Sequence, residues 1–224
     1  MGIQEKVKFL SACDTSFVAD ALVRLGWGGR MRELTVDTSL CAPLNREDHF
    51  AGIAVPVQFG MAEPGQQTWN LFDLISSSSA GAVFVMSGCG DRCYTGDVYV
   101  KYAKLAGMSA FVAEGMIRDV KDIAACGLPV FCRGGTTAAK GGQGAKILSF
   151  DRPIQFHHMT VYPGDILMGD CDGIIRIPPE LLDDVIFQVE DIRQLEEEYL
   201  KVFAEGTDVL RRLREIGAKK DIRR

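Results

Sequence analysis

Hydrophobic and polar positions fall into distinct textures along the chain. Over residues 1–30 the apolar positions Phe17, Val18, Ala21, Leu22 and Leu25 recur at helical spacing, Asp14 and Thr15 offer caps, and Gly26 stops the pattern. FAGIAVPVQF (50–59) reads as a strand, and Pro56, which has no N–H for a ladder, predicts that it is an edge or broken strand. A helix is expected over 66–77. Three continuous apolar runs follow: GAVFVMSG (81–88), SAFVAEG (109–115) and LPVFCRGG (128–135), separated by helical patterns at 98–106 and 120–126. Runs buried on both faces and alternating with helices predict an α/β protein with a parallel βαβαβ core. Ligands in such sheets sit beyond the carboxyl ends of the strands. The loops Ser87–Gly96, Gly115–Asp119 and Arg133–Gly144 should therefore converge on one edge.

The texture then changes. Residues 153–179 (PIQFHHMTVYPGDILMGDCDGIIRIPP) are rich in strand and turn signals, with tight turns at Pro163–Asp165 and Asp170–Gly173. A long helix is expected from Pro179, with Leu182, Val185, Val189, Ile192, Tyr199 and Phe203 on the a and d positions of a seven-residue repeat. Glu196 interrupts that seam at an a position. The last dozen residues are charged and expected to be mobile. The natural division is a core of residues 1–179 and a helical extension of residues 180–224.

Composition narrows the function. At 224 residues, 47% hydrophobic and 25% charged, the chain has enough apolar surface to fold, which excludes disorder for its bulk. A formal charge of −5 argues against nucleic acid as a partner. No apolar stretch reaches the length of a membrane span, and MGIQEKVKFL lacks the apolar centre of a secretion signal. Seven cysteines without a CxxC spacing read as reduced thiols of a cytoplasmic protein. The close pair Cys89 and Cys93 reads as small loop residues rather than a zinc site, since no histidine pair lies near. His157 and His158, taken as strand neighbours, would point to opposite faces and not share an ion. A dinucleotide fingerprint is absent because Cys93 stands where its third glycine would be, and neither a P-loop nor a GxSxG elbow occurs.

What remains is a set of carboxylates and arginines. Gly96-Asp97 opens a helix after the first loop, and N–H groups around Asp97, Val98 and Tyr99 would form an anion site. Arg118-Asp119 ends the second strand on the same edge, and Arg133 ends the third as an anion contact or a rim charge. Asp97 and Asp119 each also fit the simpler role of a helix cap. Together they outline a site for a hard cation and a keto acid.

Asp97, twenty intervening residues and Arg118-Asp119 match the D-x20-R-D signature of the RraA-like family, which the chain resembles from about residue 10 to 180. LSACDTSFVADALVRLG resembles the family's opening helix, FAGIAVPVQF its GxAxTV strand, and TVYPGDILMGDCDGIIRIP its VxPGDxxxxDxDGVxxxP segment. His157-His158 departs from the family's Gly-Gly pair, and the loop Gly134–Lys146 is unusual. The resemblance implies an α-β-β-α sandwich of the swivelling-domain type, assembled as a trimer or hexamer. It implies a divalent-metal-dependent aldolase that cleaves a 4-hydroxy-2-oxo acid, of the 4-hydroxy-4-methyl-2-oxoglutarate or 4-carboxy-4-hydroxy-2-oxoadipate type met in aromatic degradation, to pyruvate, with oxaloacetate decarboxylation at the same site. In that picture Asp119 binds Mg²⁺ or Mn²⁺, Asp97 holds a metal-bound water, and Arg118 faces the keto oxygen. Backbone N–H groups of Gly96, Asp97, Val98 and Tyr99 hold the carboxylate, and Glu196 is the candidate for the family's C-terminal glutamate supplied by a neighbouring subunit. The family also contains the regulator of ribonuclease activity A, so a non-catalytic protein-binding role is the alternative; a lyase of sugar-derived acids is another.

Overall fold

The computed structural model describes residues 1–88, 90, 92–138 and 145–222. Helices α1 (Ile3–Leu10) and α2 (Thr15–Leu22) bury Val7 and Leu10, and Val18, Ala21 and Leu22. Gly26, at φ 88°, ends the helical run in a conformation that a Cβ disfavours. Strands β1 (Thr35–Asp37), β2 (Ala42–Pro43) and β3 (Phe50–Met61) lead to α3 (Leu71–Ser77), which starts where the Asn70 side chain accepts the Phe72 N–H. Then come β4 (Ala82–Ser87), α4 (Asp97–Leu105), β5 (Ala110–Ala113), β6 (Met116–Ile117), α5 (Val120–Ala124), β7 (Val130–Cys132) and β8 (Gly134–Gly135). The described chain continues with β9 (Ala145–Phe150), β10 (Ile154–Phe156), β11 (Met159–Val161), β12 (Ile166–Asp170), β13 (Gly173–Ile177), α6 (Leu182–Glu205) and α7 (Val209–Ile222).

The main sheet runs β1-β13-β12-β3-β4-β5-β7-β2, with β9 also beside β3. The ladders β3–β4, β4–β5 and β5–β7 are parallel, and β4, β5 and β7 are buried along their whole length, as their unbroken apolar runs predict. The sheet is folded about β3. Ala82, Phe84 and Met86 of β4 pack beneath α3, α4 and α5, while Val83 and Val85 face inward toward Leu167 of β12 and Ile174 of β13. Phe156 and Val161 of the β10–β11 hairpin fill the same inner layer. The outer face of β12 and β13 packs under α1, α2 and α6. Two helix layers thus enclose two β layers in an α-β-β-α sandwich.

Three expectations are corrected. β3 is central, not an edge, though on one side its ladder is broken at Pro56, where β12 gives way to β9. Ala54 N–H bonds outward to the Asp165 carbonyl, so by alternation the nitrogen of Pro56 falls between the segments of β3 covered by β12 and by β9, where no ladder bond is required. Second, α6 buries the expected seam only in its first half: Leu182, Val185, Val189 and Ile192 are buried as predicted, but beyond them Leu195 and Val202 are buried while Glu196 and Phe203 are exposed. The buried face rotates around the helix because its second half packs on α7, through Leu195, Val202 and Ile216, rather than on the sheet. Glu196 is left exposed beside Leu195. Third, the charged C-terminal stretch forms α7.

Candidate functional site

β4, β5 and β7 end at Ser87, Ala113 and Cys132, and the segments beyond them are zipped together. Cys93 bridges Met116, Tyr94 N–H donates to the Met116 carbonyl (2.9 Å), and Arg118 N–H donates to the Thr95 carbonyl (3.2 Å). β6 pairs in parallel with β8, and Arg133 N–H donates to the Gly115 carbonyl (2.9 Å). The described parts of the three loops therefore do converge. Cys89, Asp91 and residues 139–144 lie outside the described residues, and with Cys89 so does the Cys89–Cys93 pair. Cys93 is buried, its thiol donates to the Thr95 carbonyl (3.1 Å), and burial pushes its pKa up.

Asp119 stands at the head of α5 in the left-handed region, φ 60° and ψ 35°. Its carbonyl accepts the Asp122 and Ile123 N–H groups, both at 3.0 Å, but its side chain makes no capping bond. The cap reading is thus corrected: the carboxylate is free to turn back toward α4. Oδ2 lies 3.4 Å from Asp97 N and 3.2 Å from Arg118 Nε. Left-handed backbone costs a residue with a Cβ about 1–2 kcal/mol, though Asp tolerates it better than most.

Gly96, not Asp97, occupies the N-cap of α4, with extended backbone (φ −136°, ψ 179°). Its lack of a side chain makes room, because a Cβ at Gly96 would lie 2.6 Å from Asp119 Oδ2 and 3.1 Å from Arg118 Nε. Asp97 is the first helical residue, and its carboxylate pairs with Lys101 Nζ at 2.6 Å. That hydrogen bond holds the Asp97 carboxyl below its ordinary range. Lys101 therefore has its ammonium committed within the first turns of the helix. Arg118 (47% exposed), Asp119 (34%) and Asp97 (23%) leave this corner open to a small molecule. Val98 is exposed, and Tyr99 is half-buried, stacked on Phe72 (centroids 4.4 Å apart) and lining a cavity of about 220 Å³ with Trp69, Asn70 and Lys146.

Glu196 does not join this corner within one chain. It stands on α6, in the helix layer opposite α4 and α5, and lines a cavity of about 270 Å³ with Asp14, Phe17, Asp20 and Tyr199. His157 and His158 form the turn between β10 and β11 rather than part of a strand. His158 Nε2 lies 2.8 Å from the Thr35 carbonyl, whereas the buried Nε2 of His157 has no hydrogen-bond partner among the described residues. Burial pushes the His157 pKa down.

Two groupings escaped the sequence pattern. Asp170, Cys171 and Asp172 place three donor atoms within 4.8 Å of one another. Register puts this turn at the start of β3, the opposite edge from the carboxyl ends of β4 and β5. Asp170 accepts Thr15 N–H (2.7 Å), Thr15 Oγ–H (2.8 Å) and Asp172 N–H (2.9 Å), which ties the hairpin to the start of α2. The other is Glu114, whose signal was a carboxylate closing an apolar strand run on the site's own edge.

The family model described as Aldolase/RraA matches residues 14–176, and the chain belongs to this RraA-like family. A protein of Halalkalibacterium halodurans named "Putative 4-hydroxy-4-methyl-2-oxoglutarate aldolase" is 34% identical over 155 residues, covering 68% of this chain and 71% of that one. Protein DlpA of Legionella pneumophila is 27% identical over 198 residues, which are 87% of this chain but 31% of DlpA. Among solved structures, RraAS2 of Streptomyces coelicolor, described as an unusual member of the RNase ES inhibitor RraA protein family, superposes with a TM-score of 0.75 at 25% identity, covering 86% of this chain and 95% of that one. A Pseudomonas syringae protein superposes with a TM-score of 0.77 at 22% identity, over 93% of this chain and 96% of that one. No helix among the described residues is long and apolar enough to cross a membrane.

Proposed function

We propose that this protein is a divalent-metal-dependent carbon–carbon lyase, an aldolase that cleaves a 4-hydroxy-2-oxo acid of the 4-hydroxy-4-methyl-2-oxoglutarate or 4-carboxy-4-hydroxy-2-oxoadipate type to pyruvate in the cytoplasm, with oxaloacetate decarboxylation as a side activity. Family membership and the aldolase-named relative support this reading. The observation that carries it is the turning of the Asp119 carboxylate, through a left-handed backbone, onto the first turn of α4 beside Arg118.

The donor set fits a hard cation. Asp119 and Asp97 offer carboxylate oxygens, and the nearby described thiol, Cys93, is buried and tied to a carbonyl, with burial pushing its pKa up, which disfavours its binding a thiophilic metal. Asp119 would hold Mg²⁺ or Mn²⁺ and Asp97 a water of its shell. The ion, when bound, supplies positive charge where the cleaved bond's electrons collect.

The chain's own groups do the rest. The N–H groups of Gly96 to Tyr99, at the positive end of α4, hold the substrate carboxylate. Arg118 presents a planar, permanently charged donor to the keto oxygen as negative charge develops there. Asp119 Oδ2 accepts from both Arg118 Nε and Asp97 N–H, which orients the two halves of the site toward each other. Removal of the C4 hydroxyl proton needs a further base or base-held water. Glu196 of a neighbouring subunit is the proposed source, delivered by the extension 180–224 in a homotrimer or a hexamer. The likeness to RraAS2 favours a second reading, a regulator that binds a ribonuclease and needs no turnover.

A screen for pyruvate release from several 4-hydroxy-2-oxo acids separates the two. Activity that EDTA abolishes and Mg²⁺ or Mn²⁺ restores supports the aldolase. Full activity in EDTA with inactivation by borohydride and substrate would mean Schiff-base chemistry instead, and no release from any substrate would leave the regulator.

A further inference from the structure

We infer that Glu114 is the positioning residue that fixes the α4 half of the proposed site against the Arg118-Asp119 half; the inference rests on the reading above. Glu114 is the first residue beyond β5, and its N–H donates to the Met86 carbonyl of β4 at 2.9 Å. Its carboxylate gathers donors from two other segments. Oε2 accepts the Gly88 N–H at 3.1 Å, where β4 ends, and Oε1 accepts the His157 N–H at 3.0 Å in the β10–β11 turn; Ser87 Oγ stands 2.7 Å from Oε2 and 2.5 Å from the Gln155 carbonyl oxygen of β10, and its single proton serves one of the two.

The contacts around this clamp leave little slack. Gly88 has φ 88°, and a Cβ there would come within 1.9 Å of Gln58 Nε2 and 2.2 Å of the Phe59 carbonyl oxygen. Gly115, next to Glu114, packs so closely that a Cβ would lie 2.1 Å from the Gly90 carbonyl oxygen and 2.6 Å from the Tyr94 ring. Among the described residues of this stretch, Gly88 is thus held by Glu114, Gly90 lies against Gly115, and Cys93 to Thr95 are held by residues 116–118. At the far end of one segment stands Asp97, and at the far end of the other stand Arg118 and Asp119. His157 is held at φ 51°, a strained position that persists only where neighbours over-determine it, and its N–H bond to Glu114 is one such constraint.

Two backbone N–H groups, of Gly88 and His157, converge on separate oxygens of Glu114, and a carboxylate has acceptor sites for both and no N–H of its own. In Glu114→Gln the amide keeps the shape but must turn its NH₂ toward either His157 N–H or the Ser87–Gly88 pair, losing one side of the clamp. The test uses the full-length oligomer and three readouts: amide hydrogen exchange, Mn²⁺ affinity by electron paramagnetic resonance, and kcat with KM. Exchange at Asp97 and Arg118 should rise about tenfold, the scale of one ordinary hydrogen bond. Mn²⁺ binding should weaken about fivefold or more, and kcat should fall more than KM rises. His157→Gly keeps the N–H and should leave Mn²⁺ affinity and kcat near the wild-type values.

Faster exchange confined to Gly88 and His157, with Mn²⁺ affinity and kcat within twofold of wild type, would overturn the inference and leave Glu114 as a staple of the hairpin alone. If Glu114→Gln does not fold, Glu114→Asp, which keeps the carboxylate but shortens its reach by one methylene, is read the same way. A partial loss supports the clamp, and wild-type values refute it. Should the wild-type protein release no pyruvate at all, the aldolase reading falls, while exchange at Asp97 and Arg118 still decides the role of Glu114.

Discussion

Replacing Gly96 by alanine tests the site through one methyl group. The backbone of Gly96 is extended and suits alanine, so the new strain is confined to what the Cβ meets. That atom would stand 2.6 Å from Asp119 Oδ2 and 3.1 Å from Arg118 Nε. To restore ordinary contact the carboxylate must retreat by about 0.8 Å. Its approach to Asp97 N, already 3.4 Å, then fails, and Arg118 is pushed the same way. Displacements near 1 Å in a positioned site cost on the order of 10²-fold in rate, so kcat/KM for pyruvate release should fall about 10- to 100-fold, with weakened Mn²⁺ binding. Glycine to alanine at a helix N-cap costs only about 1 kcal/mol, which for a chain of this size lowers Tm by roughly 2–4 °C. A lactate-dehydrogenase-coupled assay, Mn²⁺ titration and a thermal melt measure all three. If activity and Mn²⁺ affinity stay within threefold of wild type, Asp119 is not the group that Gly96 makes room for, and the proposed site geometry is wrong.

Arg118→Lys keeps the charge but loses the planar fork; turnover should drop about 10²-fold or more, and a change under threefold in both kcat and KM rejects the oxyanion role. His157→Gly reads out a buried imidazole. Burial lowers its folded pKa below the ordinary 6.5, so its stabilising share is present above that value and lost as pH falls through the folded pKa. Melts between pH 7 and 5 should therefore show a shallower loss of Tm in the variant, whatever constant gain comes from relieving φ 51°; parallel curves would show that His157 does not titrate there. Asp119→Ala and Glu196→Ala should each be inactive alone yet regain activity in mixed oligomers, if neighbouring subunits share a site. Verified mixed oligomers that remain inactive, or near-normal turnover by Glu196→Ala, reduce Glu196 to surface charge.

The parallel core was legible because Ala82–Met86, Ala110–Ala113 and Val130–Cys132 are buried on both faces, which leaves an unbroken apolar signature. Pro56 marked a break in the ladder but not the strand's place in the sheet, because a central strand can change partners midway and a sequence pattern does not tell that from an edge. The seam of α6 was legible as far as Ile192 and misled beyond it, because the stripe serves two partners, the sheet layer and then α7, and no single period describes both. Asp97 and Asp119 could be located but not assigned. Whether a carboxylate before a helix caps it depends on backbone angles, and at Asp119 the left-handed turn sends the side chain elsewhere. Glu114 was hidden because its partners, Ser87, Gly88 and His157, come from segments that only the folded sheet brings together.

The bond between Thr15 and Asp170 joins groups 155 residues apart, and the layer it closes sets conditions on synthesis. Leu10, Val18 and Leu22 of the opening helices share a cluster with Leu34 and Ala51, translated soon after them, and with Ile166, Met168, Ile175, Ile177 and the Leu182–Ile192 face of α6, so most of their cover is translated far later than they are. At about 5–20 residues per second that wait lasts roughly ten to thirty seconds. The strands β3, β4, β5 and β7 can pair meanwhile, because their crossovers are short and local. The emerging chain therefore passes through a stage in which the βαβ half is assembled and the first two helices, covered only by Leu34 and the start of β3, still expose much of their apolar stripe. A ribosome stalled before codon 166 should hold a nascent chain that captures trigger-type chaperones, and one stalled well past codon 177 should not.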